Sequence, residues 1–210
     1  VGSTRFTIQP YFGSNRASAY AAPALVADPG FTPPAGFDPA QPIPFSIGKI
    51  GGINLVANFD VVSLRAGYLV AEVTQSDFGL EGEKAEFASV GLTMDWRNIV
   101  AYAEVAGRNQ APNLEAAFPD QQASYITLGY RIGNFMPHLT YSSITELGED
   151  TPLTVHQTSQ TLGLRYEFLD GAALKFEAQK VTPEEGNFGL FNDNTIEEAM
   201  LYGIALDVIF

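Results

Sequence analysis

The sequence predicts an all-β chain that folds as a transmembrane antiparallel up-and-down β-barrel, with about ten strands visible. Three observations support this prediction. Hydrophobic and polar residues alternate in segments of roughly ten residues. The gaps between these segments are alternately short and long, as in membrane barrels. Aromatic residues recur beside the short gaps, which would place them at one height of the barrel wall.

The bulk composition narrows the class of protein. The 210 residues are 46% hydrophobic, yet no run approaches the length of a helical membrane span. The absence of cysteine excludes disulfides and thiolate metal sites. A net charge of −13 argues against a nucleic-acid partner. The chain does not open with a signal peptide, so we expect a mature form or a fragment that forms one domain, 1–210.

The alternation of apolar and polar residues sets the strand positions. The clearest segment is the last, in which even-numbered residues from Met200 to Phe210 are apolar and would share one face. The predicted strands are at about 3–12, 50–60, 62–72, 86–96, 98–108, 122–133, 135–145, 157–169, 171–181 and 198–210.

The gaps between strands predict the topology. Tight hairpins are expected at Asp60–Val61, Trp96–Asn98, Gly133–Asn134 and Asp170–Gly171. Long connections are expected at about 13–49, 73–85, 109–121, 146–156 and 182–197. In outer-membrane barrels the tight turns are periplasmic and the long loops extracellular, so both chain ends would be periplasmic. The loop 13–49 is rich in Pro, Ala and Gly, and we expect it outside the cell or folded into the lumen.

Large aromatic residues lie next to every predicted tight turn. They have the parity of the apolar face, which predicts a girdle at one membrane interface, made of Phe59, Trp96, Phe135, Phe168 and Phe210.

Three segments resemble the bacterial outer-membrane porin family, in particular the general porins. They are NFDVVSLRAGY (Asn58–Tyr68), LGLRYEF (Leu162–Phe168) and the C-terminal segment that ends in Phe210. The resemblance implies a water-filled channel for small hydrophilic solutes or ions in a Gram-negative outer membrane, crossed many times. It also implies a homotrimer in contact with outer-membrane lipid and lipopolysaccharide. The C-terminal segment resembles the signal read by the barrel-assembly machinery, carried by Tyr202, Ile204, Leu206, Val208 and Phe210.

The strand number departs from this family. General porins usually have sixteen strands, whereas ten are visible here. The chain is therefore either a small ten-stranded barrel or the C-terminal part of a larger one. The second alternative is favoured because the first residues open directly into a strand.

Charged residues on the polar parity form a belt near the tight turns. The candidate pore-lining residues are Arg5, Arg65, Arg131, Arg165, Lys175, Asp95, Glu104, Glu167, Glu177 and Asp207, with Asp60 beside them. Two interpretations stay open. The belt is a charged constriction that orients polar solutes, or it is a salt-bridged polar core that fills a narrow barrel.

The long connections and strand tops hold most of the remaining charge. Seventeen acidic residues there face five basic ones. An acidic mouth of this kind would concentrate cations and bind divalent ions loosely, although a merely solvated loop surface is the alternative for any single loop.

No catalytic, metal or cofactor site is predicted. His138 has the lumen parity and His156 lies in a loop, and neither has the neighbours of a metal site or catalytic dyad. An outer-membrane hydrolase that uses His156 with Asp150 or Ser159 is a weak alternative. A non-conducting barrel that serves as an anchor or partner-binding scaffold is the stronger one, and a soluble β-sandwich is a further alternative.

Overall fold

A computed structural model describes residues 4–19, 32, 38, 40–76, 79–115, 119–148, 155–185, 187, 189–191 and 195–209. These residues form ten strands and one short helix. The strands are β1 (Arg5–Ala19), β2 (Ile43–Asn58), β3 (Val62–Ser76), β4 (Lys84–Trp96), β5 (Ile99–Gln110), β6 (Gln121–Tyr130), β7 (Phe135–Glu146), β8 (His156–Leu169), β9 (Ala172–Pro183) and β10 (Ala199–Val208). The helix α1 is Pro112–Glu115. Among the described residues, no helix has the length and apolarity to cross a membrane.

All ten strands belong to one antiparallel sheet. Its order is β1 to β10, so each strand pairs with the next in sequence and β1 and β10 are the two edges. The predicted all-β, up-and-down antiparallel class is therefore confirmed. The β-sandwich alternative is wrong for the described residues, because a sandwich needs two packed sheets.

Short and long connections alternate as predicted. The tight turns are 59–61, 97–98, 131–134 and 170–171, and they all lie at one end of the sheet. Positive φ angles of 58° at Gly133 and 79° at Gly171 explain why glycine is present in two of these turns. Arg97 takes the same left-handed region, with φ of 56°. We call this end of the sheet the turn side and the opposite end the loop side.

The first three strands extend further on the loop side than predicted. β1 continues to Ala19 and β2 begins at Ile43, so only 20–42 connects them, rather than 13–49. The register shifts between Gly13 and Asn15 and within 46–51 of β2. Because each shift reverses the face on which the following side chains lie, the period-2 pattern breaks and the strand becomes invisible to a parity argument. Most of 20–42 lies outside the described residues.

The register divides the side chains into a polar face and an apolar face. A row of paired residues crosses the sheet on the polar face and is hydrophilic in nine of ten positions, from Arg5 through Asn58, Ser63, Thr93, Tyr102, Thr127, Thr140, Thr161 and Gln179 to Leu201. Hydroxyl groups on this face bond across strands: Thr127 to Thr140 at 2.7 Å and Ser142 to Ser159 at 2.7 Å.

The pattern of burial is the reverse of that in a soluble domain, where the apolar face of a sheet is the buried one. Among the buried strand residues, Ala71, Val100, Ala173, Val181, Ser159 and Thr161 lie on the polar face. The apolar face is exposed instead, with Ile126 at 57%, Leu128 at 59% and Val90 at 64%. The side chains of the polar face are therefore packed more closely than those of the apolar face.

Candidate functional site on the polar face

The ten predicted pore-lining residues all lie on the polar face. Nine are in strands, and Arg131 follows β6 directly. The structure brings eight of them into ion pairs with one another, and the ninth, Glu177, lies 3.5 Å from the imidazole of His138. Each of these contacts crosses from one strand to another, apart from a bond between Arg165 and Glu167 within β8. Arg5, on the edge strand β1, pairs with no other described residue. Asp60 lies in the turn 59–61.

Arg65 and Glu104 pair across β4. Their nitrogen and oxygen atoms, Nη2 and Oε2, are 3.1 Å apart, and the hydroxyl of Tyr125 donates to the same Oε2 at 3.4 Å. Gly91 is the residue between them in the register. A Cβ atom at Gly91 would lie 3.7 Å from both side chains. Because glycine has no side chain, the space over β4 is free for Arg65 and Glu104 to meet.

Arg131 and Asp95 pair across β5. Two nearly parallel bonds join the guanidinium to the carboxylate, at 2.6 and 2.7 Å. This two-pronged geometry fixes both side chains and is among the stronger forms of ion pair. Val100 lies opposite Asp95 in the register and is 1% exposed.

Four residues form a second kind of arrangement on β8, β9 and β10, which we call the β8–β10 cluster: Arg165, Glu167, Lys175 and Asp207. Arg165 donates Nε to Glu167 and Nη1 to Asp207, both at 3.1 Å. Lys175 Nζ lies 2.7 Å from the same Asp207 carboxylate. Ala173, which is fully buried, separates Glu167 from Asp207 in the register.

His138 joins the polar face through Glu177. Its Nε2 lies 3.5 Å from Glu177 Oε1 across β8, and the imidazole covers Gly163. A Cβ atom at Gly163 would overlap this ring, so only glycine fits beneath it. The predicted polar-face parity of His138 is correct, but its partner could not be predicted from the sequence, because β7 and β9 are not adjacent in sequence or in the sheet.

Two of these contacts share one arrangement. Arg65 with Glu104, and His138 with Glu177, lie on second-neighbour strands, and the residue between the partners in the register is a glycine, Gly91 or Gly163. A glycine on the polar parity, one strand away from a charged residue, is the sequence signal that would have found these two. Using that signal requires the inter-strand register, which parity alone does not supply.

The pairing bears on the two interpretations of the charged belt. The ten predicted residues comprise five basic and five acidic side chains, so their charges cancel. Yet the side chains remain accessible, with Arg65 at 56%, Asp95 at 55% and Glu167 at 61% exposed. The belt therefore combines ion pairs, as the second interpretation expects, with the open surface that the first expects.

Several loop-side carboxylates hold the backbone in place. Glu81 accepts a bond from the Ser76 N–H, Asp120 from the Gln110 N–H and Glu146 from the Val155 N–H, at 2.6–2.9 Å. Two more are paired with lysine: Glu72 with Lys49 and Glu198 with Lys180. Part of the predicted acidic mouth is thus structural. Other members of it lie outside the described residues: Asp28, Asp77, Glu149, Asp150 and Asp193.

Aromatic side chains lie along the turn side of the apolar face. Phe59, Trp96, Phe135 and Phe168 are between 40% and 47% exposed. Arg97 lies over the Trp96 ring at 4.9 Å, and Phe135 stacks on Tyr166 at 4.6 Å. Phe210, the fifth predicted member, is outside the described residues.

The predicted assembly segment coincides with the edge strand β10. Tyr202, Ile204, Leu206 and Val208 share its apolar face and are 79%, 74%, 60% and 54% exposed.

Residues suggested for hydrolase chemistry are not brought together. His156 and Ser159 are three residues apart in β8, so they project from opposite faces of the sheet. Ser159 is buried and bonded to Ser142 and Gln179. Asp150 is outside the described residues. In the described part of the chain, no three side chains of His, Cys, Asp or Glu are grouped so that they could hold a metal ion.

Comparison of the sequence with protein-family models gives no match, and comparison with curated proteins gives none either.

Proposed function

We propose that the chain forms the wall of an outer-membrane porin, a water-filled channel for passive diffusion of small hydrophilic solutes or ions. The observation that carries this proposal is the inverted burial: large apolar side chains are exposed on one face of the sheet, while the other face carries polar side chains that are packed more closely. Exposed apolar area of this extent is unfavourable in water and favourable in a bilayer. A membrane barrel needs this arrangement, with lipid outside and water inside.

The dimensions of the strands fit a bilayer. They contain 10 to 16 residues, and a tilted transmembrane strand needs about 9 to 11. The polar row that starts at Arg5 reaches Leu201, seven residues from the end of β10 at Val208. The row is thus displaced along the strands by roughly 23 Å while it crosses nine strand spacings, which measure roughly 43 Å. The ratio of these two lengths corresponds to a strand tilt of about 28°. Closing a sheet into a barrel requires such a tilt, typically about 35–45°.

The edges of the sheet give a further requirement. Unpaired N–H and C=O groups are costly in the hydrocarbon region, so β1 and β10 need strand partners there. The six most exposed large hydrophobic side chains of the described residues flank these two edges: Phe6, Ile8, Phe12, Tyr202, Ile204 and Ile209. We propose that the sheet continues at both edges into a closed wall, and that the barrels assemble as trimers as in the family that the sequence resembles.

The charge distribution supports a mild cation preference that originates on the loop side. The belt on the polar face is balanced, whereas the acidic excess belongs to the long connections and strand tops. Attraction between solvent-exposed charges and passing ions is screened by salt, so we expect the preference to weaken at high ionic strength.

Conductance of the refolded chain in planar lipid bilayers tests this proposal. We expect discrete current steps and a reversal potential that shows cation preference, which decreases from 0.1 M to 1 M salt. Circular dichroism of the same sample establishes that the strands are formed. Folded protein that inserts and carries no current would contradict the porin proposal and favour the non-conducting anchor or scaffold.

A further inference from the structure

A cleft at the turn side of the polar face has the features of a small binding site. It lies where the β8–β9 hairpin meets the end of β10, and its volume is about 850 Å³. Charged side chains of both signs line it: Arg165, Glu167, Asp170 and Asp207. Asn134 and Ile209 complete its rim.

The β8–β10 cluster leaves hydrogen-bonding capacity unused toward this cleft. The guanidinium of Arg165 uses Nε for Glu167 and Nη1 for Asp207. No bond from its Nη2 to another described residue is seen. Glu167 accepts through Oε1 and is 61% exposed, with its second oxygen unpaired among the described residues. An anion can therefore approach Arg165 while a cation approaches Glu167 or Asp170.

The balance of positive and negative charge determines which kind of solute binds most tightly. A simple ion near this cluster is attracted by the side chains of one sign and repelled by those of the other. Because Asp170 also lines the cleft, the lining carries more negative than positive charge, and an anion alone is bound least. A solute that carries both charges on neighbouring atoms can align against the pair, and both of its charges then meet an opposite one. Its carboxylate fits the planar donors of Arg165, and its ammonium fits the acidic side chains.

We infer that this cleft binds small zwitterions, solutes in which an ammonium and a carboxylate group are separated by a single carbon. The inference deepens the proposed function and rests on it only for the route by which solutes reach the cleft. Arg165 receives the carboxylate, and Glu167 with Asp170 receives the ammonium.

Glycine is the smallest probe for this site, and acetate and methylammonium represent its two halves. Binding to the full chain, folded in detergent micelles, is measured for all three by saturation-transfer NMR titration. We expect the Kd of glycine to be at least tenfold lower than that of either half. Arg165→Gln and Glu167→Gln should each raise the Kd of glycine about tenfold, the loss of one charge-assisted hydrogen bond.

Matched controls remove the same charges elsewhere. Lys180→Gln and Glu198→Gln break the loop-side ion pair, which lies far from the cleft, and should leave the Kd of glycine unchanged. If Arg165→Gln does not give the circular dichroism of the parent, the double variant Glu167→Gln, Asp170→Asn takes its place, since both side chains are exposed. Glycine binding that is absent, or no tighter than that of acetate or of methylammonium, would overturn the inference.

The outcome is independent of conduction. A folded chain that binds glycine but passes no current supports this site and contradicts the porin proposal. A conducting chain with no preference for glycine supports the porin proposal and contradicts this site.

Discussion

The two faces of the sheet are built by different rules. Side chains on the polar face are crowded and paired: Arg65 and Glu104 meet over Gly91, His138 and Glu177 meet over Gly163, and hydroxyls bond across strands. Side chains on the apolar face are large, exposed and joined mainly by ring contacts near the turn side. The comparison indicates that specific side-chain contacts are concentrated on the polar face. On the proposed function, the apolar face needs no defined partner because fluid lipid would cover it.

The largest difference between the two faces is expected when a charge is introduced on one face and, in a second variant, on the other. Ser89 and Val90 are consecutive residues in the middle of β4, on the polar and apolar faces respectively. We expect Val90→Arg to destabilise the chain folded in lipid vesicles by about 2–4 kcal/mol, since its charge would lie in hydrocarbon. Ser89→Arg should cost much less, because its charge faces water. Reversible denaturant titration in vesicles measures both, and equal losses would contradict the assignment of the faces.

Filling the glycine gap under His138 should have the next largest effect. Gly163→Ala places a methyl group where the imidazole now lies, and we expect a loss of about 1–3 kcal/mol in the free energy of unfolding. Gly203→Ala is the matched control on β10, where a Cβ meets nothing within 4 Å, so it should cost little. In a His138→Ala background the Gly163→Ala penalty should nearly disappear. A penalty that persists there would show that the ring is not its cause.

Removing one partner of an ion pair on the polar face should change selectivity more than stability. Glu104→Gln leaves Arg65 uncompensated, and we expect the reversal potential in a salt gradient to move toward anions. The loss in stability should be under about 1 kcal/mol, since Arg65 is 56% exposed. The double variant Arg65→Gln, Glu104→Gln restores the balance and should return the reversal potential to the parent value. An unchanged reversal potential in the single variant would show that ions do not pass this face.

The smallest effect is expected on the apolar face at the turn side. Arg97→Gln removes the guanidinium that lies 4.9 Å from the Trp96 ring, a contact at an exposed site worth about 0.5–1 kcal/mol. Trp96 is the one tryptophan of the chain, so its fluorescence during denaturant titration reports the change directly. A loss well above 1 kcal/mol would indicate that Arg97 has a further role in the turn.

The sequence predicts the sheet well wherever the alternation is uninterrupted. The strands β4 to β10 begin and end within three residues of their predicted bounds, because one face is apolar and each register slip would reverse it. The loop-side ends of β1 and β2 were missed for the same reason, since the bulges at 13–15 and 46–51 change the face midway. The sequence also predicts the face of all ten candidate pore-lining residues.

The partners of those charges could not be predicted from the sequence. Arg65 and Glu104 are 39 positions apart, and Arg165 and Asp207 are 42 apart. Their meeting depends on the exact register of three strands and on which residue lies beneath the pair. The parity of a residue gives the face on which its side chain lies. The row of neighbours across the sheet to which the residue belongs follows only from the hydrogen-bond register between strands. The β8–β10 cluster and its cleft therefore became visible only in the structure.

Accessibility of consecutive residues to oxygen and to a water-soluble nickel chelate tests the central claim most directly. The chain has no cysteine, so single cysteines can be introduced at 124–129 of β6 and labelled with a nitroxide in lipid vesicles. We expect an alternation with period 2: oxygen-accessible labels at Ile126 and Leu128, and chelate-accessible labels at Tyr125 and Thr127. Equal access of the chelate to all six positions would contradict the assignment of the apolar face to lipid.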